Sequence, residues 1–318
     1  MKNSNEQIPT ADERLHCILS RPGSAECSPH ELFGADDDDF WFWLNTEGCR
    51  RSEELRQLLP SMPDEQTQAR TIGSAGDAAL REGFNAYRLF KQIFQSHRGA
   101  LTPDRRVLDF GCGWGRIIRF FLKDLPATQL VGSDYAPHLL EICRTTNRWC
   151  DFVQTPASPP CGLPADGFDM IYLYSVFSHL SEDQQRAWRA EFHRLLKPGG
   201  LLVATTWDRE FIERCRALRD DPSLPCENNW RKELATVFVE TERHLDDYDS
   251  GRFAYSPYSR EIAPWSYAGD VSLYGEACVS RRYVAEQWAD LFEIVDFIQD
   301  RAVCPQNVIV VRKRNSSR

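Results

Sequence analysis

The stretch RVLDFGCGWGRIIRFFL, Arg106 to Leu122, decides the fold. Val107 to Phe110 is a short apolar run of strand character. Glycine then occupies every second place, at Gly111, Gly113 and Gly115, and the pattern turns helical. A strand, a bare turn and a helix open a parallel βαβ unit. A turn without side chains lets a ligand approach the backbone closely. The dinucleotide fingerprint G-x-G-x-x-G would need a third glycine at 116, where the chain has Arg116, and the G-x-x-x-x-G-K-[ST] phosphate loop is absent.

Outward from this stretch, QLVGSD, DFVQ, FDMIYLYSV and GGLLVATTW follow as further apolar runs separated by helical stretches. SRRYVAEQWADL, FEIVDFIQD and QNVIVVRK then read as helix, strand and strand. This alternation predicts an α/β fold: a doubly wound, mostly parallel, Rossmann-like sheet of seven strands. Ser181 with Gln184 three places later predicts a capping box, and Trp188, Phe192, Leu195 and Leu196 form the apolar stripe of that helix. Pro137 suits an early helical position. Before the sheet, 50–60 and 76–98 read as helices, the second with Leu80, Phe84, Tyr87, Phe90 and Phe94 on one face around Lys91.

Three divisions follow. Residues 1–39, polar and ending in an acidic run, read as a weakly ordered tail. Residues 40–100 read as a helical segment, and 101–318 as the main domain, in which 208–275 is an insertion or lid after the fifth strand. Helices are expected in that insertion near 209–219 and 229–246. Phe40 to Leu44 (FWFWL) is costly to leave in water and is expected to dock on the main domain, with a protein-partner surface as the alternative.

The ligand's chemistry is read from two acids. Strand alternation places Val107 and Asp109 on one face, with Asp109 at the strand's end beside the glycine loop. A carboxylate there repels a pyrophosphate and favours a cation. Asp134 ends the next strand, and an acid there can accept hydrogen bonds from ribose hydroxyls. Ribose together with a cationic amine describes S-adenosylmethionine.

VLDFGCGWGR, VGSDYAPHLLEIC, FDMIYLYSVFSHL and LLKPGGLLVATT, in this order, resemble the class I S-adenosylmethionine-dependent methyltransferases. The resemblance covers roughly 84–207 and 280–313. It implies that Asp109, Gly111 and Gly113 hold the methionine part of S-adenosylmethionine, and that S-adenosylhomocysteine is the product; Gly115 is a further cofactor-binding candidate, and Arg116 is a candidate for the cofactor carboxylate. It places Asp134 on the ribose, Tyr135 beside the adenine and Ser175 along the sulfonium side. Many relatives carry an acid after the third strand. Here the matching stretch has none before Asp166, so backbone near Gln154 is assigned to the adenine.

Each residue also has a plainer reading: Asp109 as a loop cap, Asp134 as a turn residue, Arg116 as a solvated helix start. His179 lies just past the fourth strand and is a candidate general base; holding the loop is its structural alternative. In the insertion, Trp207, Tyr255 and Trp265 are candidate acceptor-binding residues, against the alternative of a small core of their own. No metal site is expected.

Net charge is −9, with no long basic run, which argues against a nucleic-acid partner. Eleven cysteines without paired ligand spacing read as free thiols. Without a signal-like or spanning apolar run, a cytoplasmic protein off the membrane is expected. The expected function is methyl transfer to an oxygen or nitrogen of a small molecule. Alternatives are a protein or RNA acceptor, or a non-catalytic S-adenosylmethionine-binding scaffold. A nicotinamide oxidoreductase is a more distant reading.

Overall fold

The computed structural model describes residues 9–226, 230–259 and 274–314. The helices are α1 (Ala11–Leu19), α2 (Pro29–Phe33), α3 (Asp38–Trp43), α4 (Cys49–Arg51), α5 (Glu53–Leu58), α6 (Glu65–Ile72), α7 (Gly76–Arg98), α8 (Ile118–Phe121), α9 (Pro137–Thr146), α10 (Glu182–Leu195), α11 (Arg209–Asp220), α12 (Arg231–Leu234), α13 (Thr241–Asp249) and α14 (Arg281–Gln287). The strands are β1 (Val107–Phe110), β2 (Leu130–Asp134), β3 (Asp151–Gln154), β4 (Phe168–Leu173), β5 (Leu196–Thr206), β6 (Ala254–Pro257), β7 (Gly275–Cys278), β8 (Phe292–Ile298) and β9 (Asn307–Lys313).

Seven strands form one sheet in the order β3-β2-β1-β4-β5-β9-β8. The first five run parallel, and β9 is antiparallel to both β5 and β8. The strands are nearly continuous apolar runs because both faces are covered. Val107, Met170, Tyr172, Val203 and Val310 face a core shared with α7 and α8. Leu108, Phe110, Ile171, Leu202 and Ile309 face the other core, shared with Trp188, Phe192 and Leu195 of α10 and with α14. The sheet order reverses between β1 and β4, and in an open parallel sheet the ligand crevice lies beyond the strand ends at that point.

The described part of the polar N-terminal stretch, 9–39, is helical and capped. Thr10 and Glu13 close a capping box on α1, and Ser28 and Glu31 close another on α2. The acidic run is also structural: Asp37 caps α3 through the Phe40 N–H at 2.7 Å. Asp38 takes Lys91 of α7 at 2.9 Å and Lys123 at 3.0 Å. Composition suggested disorder because these acids were read without their distant lysines. Phe40, Trp41 and Leu44 are buried, and the Trp41 indole N–H donates to the Phe120 carbonyl at 2.9 Å. FWFWL therefore docks on the main domain, with Phe42 and Trp43 half-buried at its edge.

Three local readings also change. Gln184 does not box with Ser181; its amide bonds the Ser158 hydroxyl at 2.8 Å. The helix expected over 50–60 breaks at Ser52, which is extended and caps α5. The helix expected over 229–246 is split into α12 and α13, with Phe238 at φ 52° between them. The insertion packs on itself: Phe211, Ile212, Leu218, Val237, Phe238, Leu245 and Cys278 form a third core.

Candidate methyl-donor site

β1 delivers the chain to the crevice, and the glycine loop turns it there. Gly111 and Cys112 both donate to the Ser133 carbonyl at the end of β2, at 2.8 and 2.9 Å. Gly111 has φ 74°, and a β-carbon on it would meet Val176 Cγ2 at 2.4 Å, so the loop after β4 presses directly on the glycine turn. Gly113 has φ 56° and open space where a side chain would be. Its backbone is bare on the side a ligand would approach.

Asp134 is tied to this loop. Its Oδ2 accepts from the Gly113 N–H and its Oδ1 from the Ala136 N–H, both at 2.9 Å. Each oxygen keeps a further lone pair for a ligand hydroxyl. Burial raises the Asp134 carboxyl above its usual range, and the N–H groups of Ala136 and Gly113 pull against that. The turn-residue reading and the ribose reading thus describe one carboxylate: it shapes the loop and retains acceptor capacity.

Asp109 sits on the α7/α8 side of the sheet, only 2% exposed, and its Oδ2 has no hydrogen-bond partner. Burial pushes its carboxyl up to about 7. The neighbouring Tyr172 hydroxyl counters this, the Asp134 charge adds to it and Arg116 counters it again. A buried carboxylate with one unpartnered oxygen suits a ligand that arrives with positive charge.

The other expected residues fall in different places. Arg116 is buried rather than solvated; it pairs with Glu82 of α7 at 2.9 Å and lies 5.1 Å over the Tyr174 ring. Gln154 donates to the Tyr135 carbonyl at 3.3 Å, joining the ends of β2 and β3. Ser175 has φ 59°; its N–H donates to Thr205 Oγ1 at 2.7 Å and its hydroxyl receives Gln306 Nε2 at 3.0 Å. Thr205 and Gln306 gave no signal in sequence, since their roles depend on β9 returning beside β5.

His179 is the junction between sheet and insertion. Its Nδ1 lies 3.0 Å from the Gly275 carbonyl and 3.6 Å from Glu276 Oε2, and its ring stacks on Tyr274 at 5.0 Å and 18°. The backbone seals the junction: Gly275 N–H donates to His179 O at 2.9 Å and Ala277 N–H to Ser178 O at 2.8 Å. A β-carbon on Gly275 would meet the Ser256 carbonyl at 2.2 Å, so only glycine lets β7 close on β6 here.

Trp207 is half-buried, with one ring face covered. It stacks on Phe211 at 4.0 Å, and its indole N–H donates to Glu276 at 2.7 Å. Tyr255 pairs across from Ala277 while Ser256 pairs across from Glu276. By alternation Tyr255 is on the opposite face from the Glu276 cluster, toward Phe253. Trp265 lies outside the described residues. Glu276 itself was missed: a single acid in an apolar strand carries no motif. Among the described residues no cluster of His, Cys, Asp or Glu could hold a metal, the cysteines are free, and no helix is long and apolar enough to cross a membrane.

A sheet of this order, carrying a glycine loop clasped by an acid at the end of the second strand, defines the class: a class I S-adenosylmethionine-dependent methyltransferase. The Methyltransferase domain family matches residues 107–200, which run from β1 into β5. The chain is similar to malonyl-[acyl-carrier protein] O-methyltransferase of Paenibacillus sp. strain JDR-2, 25% identical over 191 residues, which span 52% of this chain and 68% of that one. It is also similar to trans-aconitate 2-methyltransferase of Acidovorax ebreus strain TPSY, 24% identical over 195 residues, 61% of this chain and 70% of that one. Among solved structures, an S-adenosylmethionine-dependent methyltransferase from Mesorhizobium loti superposes with a TM-score of 0.47 at 15% identity, over 73% of this chain and 98% of that one. Residues 107–200 are a methyltransferase domain, and the methyltransferase relatives support a class I S-adenosylmethionine-dependent methyltransferase.

Proposed function

We propose that this enzyme transfers a methyl group from S-adenosylmethionine to an oxygen or nitrogen of a small-molecule acceptor. One observation carries the donor half: a buried carboxylate with one unpartnered oxygen, Asp109, and a loop-clasping carboxylate, Asp134, flank the turn at Gly113, where a side chain would meet no atom. In this reading Asp109, Gly111 and Gly113 hold the cationic methionine end. Asp134 takes the ribose hydroxyls, Tyr135 and Gln154 border the adenine, and Ser175 lines the sulfonium side. Arg116 supports the loop through Glu82 rather than meeting the donor's carboxylate.

S-adenosylmethionine supplies a methyl group already activated by its positive sulfur. The chain's own task is to hold the acceptor atom in line and to exclude water. The insertion is the part assigned to cover the acceptor, because its strand β7 is sealed by main-chain bonds to the loop after β4. The net charge of −9 and the names of the two relatives support a small or carrier-bound acceptor over a nucleic acid.

The test is incubation of isotopically labelled S-adenosylmethionine with fractionated metabolites, followed by mass detection of a gain of one methyl group. Transfer to a small molecule is expected. Donor binding with no transfer to any fraction would leave a donor-binding scaffold and refute the proposal. Label appearing only in RNA or protein would refute the small-molecule half.

A further inference from the structure

We propose that the acceptor is a neutral hydroxyl compound whose proton passes to His179 Nε2, and that Glu276, supplied by β7 where the insertion ends, is the positioning residue for that base. The inference rests on the methyltransfer reading above and extends it to the acceptor's chemical class.

The argument begins with a tautomer. His179 Nδ1 is 3.0 Å from the Gly275 carbonyl. A carbonyl oxygen only accepts, so Nδ1 must carry the hydrogen and donate it. In the neutral ring Nε2 is then the unprotonated, accepting nitrogen. The imidazole's tilt is fixed by its stack on Tyr274 and by the two-way main-chain grip of Gly275. The loop that carries His179 presses on the donor loop through Val176 and Gly111. The His179 side chain keeps 19% of its surface exposed, so it can be reached.

Glu276 stands behind the ring on its Nδ1 side. Its Oε2 lies 3.6 Å from Nδ1 and accepts the Trp207 indole N–H, while its Oε1 accepts the Tyr258 hydroxyl. The carboxylate is 2% exposed, and burial raises it above its usual range, with His179, Tyr258 and Trp207 pulling against that. Burial at this cost is expected where the charge is used. Once Nε2 takes a proton the ring is a cation, and Glu276 is the anion placed to stabilise it. The other titratable groups around the pair, Tyr258 and Tyr274 beside it, Cys215 from α11 and Cys278 from β7, are hydroxyls and thiols. Burial raises Tyr258, Cys215 and Cys278 further, so they stay neutral.

This arrangement selects a hydroxyl. A carboxylate acceptor needs no base and would want a cation; among the described residues the partners of this cluster include an anion and no lysine or arginine. A neutral amine can attack before losing its proton. A hydroxyl gains most from a base. The acceptor oxygen bonds to the methyl carbon, the carbon–sulfur bond breaks with its electron pair going to sulfur, and the hydroxyl proton passes to Nε2. The products are a methyl ether, a neutral thioether and an imidazolium.

The experiment uses the full chain, labelled S-adenosylmethionine and the metabolite fraction that supports transfer. The labelled product is treated with dilute alkali, which cleaves methyl esters but spares ethers, and its linkage is read by mass spectrometry. An alkali-stable O-methyl product is expected. A base-labile ester or an N-methyl product overturns this inference alone, whereas no transfer from any fraction overturns the proposed function with it. With the same fraction, His179→Gln should lower kcat by roughly 100-fold or more. Glu276→Gln should lower kcat at unchanged donor KM, because the ring loses the carboxylate that stands behind Nδ1. A Glu276→Gln enzyme with a lower melting temperature but an unchanged kcat would make Glu276 merely structural and overturn its assignment. The product's linkage is read on the wild-type chain and does not depend on that variant folding.

Discussion

Asp134→Ala separates the two duties of this carboxylate. The side chain accepts two backbone N–H groups, from Gly113 and Ala136, each at 2.9 Å. Alanine leaves both donors without that partner, and each unsatisfied donor costs about 1–3 kcal/mol where water cannot replace the bond. The loop is partly open, so the lower end applies, and an apo destabilisation of ~2 kcal/mol is expected for the pair. Donor binding suffers separately, because hydrogen bonds from ribose hydroxyls to a charged acceptor are lost, at ~1–3 kcal/mol. That is roughly a 5- to 150-fold rise in Kd. Asp134→Asn divides these terms. Its amide oxygen can keep one of the two backbone bonds, so stability falls less, while the lost charge still weakens the ribose contact. The assay pairs calorimetric titration with S-adenosylhomocysteine against urea unfolding of the same preparations. If both variants fold and bind S-adenosylhomocysteine as the wild type does, Asp134 is only a turn residue and the donor assignment fails.

Asp109→Asn should lose donor affinity while making the apo protein more stable at neutral pH. The folded carboxyl is raised from 3.8 to about 7, so its contribution to stability is complete below about pH 4. That contribution falls away as the pH rises to about 7, where the unfolded chain is already ionised. The urea midpoint of the wild type relative to Asp109→Asn should therefore decline across that window and level off above it. A flat difference would remove the buried ionisation. Donor binding below pH 7 should release a proton, visible as a dependence of the binding enthalpy on the ionisation heat of the buffer. At the loop, Gly113→Ala should cost only the ~1–2 kcal/mol of left-handed strain in the apo chain, since no atom crowds the new methyl group. Gly111→Ala adds a clash with Val176 and should unfold at a lower urea concentration than Gly113→Ala; equal midpoints would refute the packing described here. Trp41→Ala empties a fully buried site and should cost about 3–5 kcal/mol in the global unfolding transition; a small separate transition would show that the N-terminal helices fold independently.

The sheet and the donor loop could be read from sequence because both are local. A parallel strand covered on both faces is an apolar run in any register, and LVGSD or FDMIYL carries that texture without a partner being known. The glycines report a turn whose demands are met within a few residues. Asp109 is next to last in β1 and Asp134 is last in β2, so alternation alone puts both at the strand ends. The readings that failed share the opposite property. Asp38 looked like part of a solvated acidic tail because the lysines that hold it, Lys91 and Lys123, are more than fifty residues away. Gln184 fitted a capping box by spacing but found Ser158 across the domain.

The insertion shows the same limit in functional terms. Its aromatics were all candidates for an acceptor surface, and composition could not rank them. Pairing ranks them: β6 against β7 puts Ser256 opposite Glu276 and Tyr255 opposite Ala277, so a one-residue step separates the His179 side of the hairpin from the α14 side. Trp207 then belongs to the cluster through its N–H and not through its ring face. Glu276 becomes visible only when β7 is laid against residues 178–180, almost a hundred residues earlier in the chain. In the proposed reading the donor residues follow local strand ends and turns, whereas the acceptor chemistry rests on a contact between distant residues. Acceptor preference can change by altering the hairpin, with the donor loop left intact. Replacing residues 254–278 as a block should thus alter which metabolite fraction is methylated while the Kd for S-adenosylhomocysteine stays within about threefold of the wild type; loss of donor binding in a folded chimera would show that the two halves are not separable.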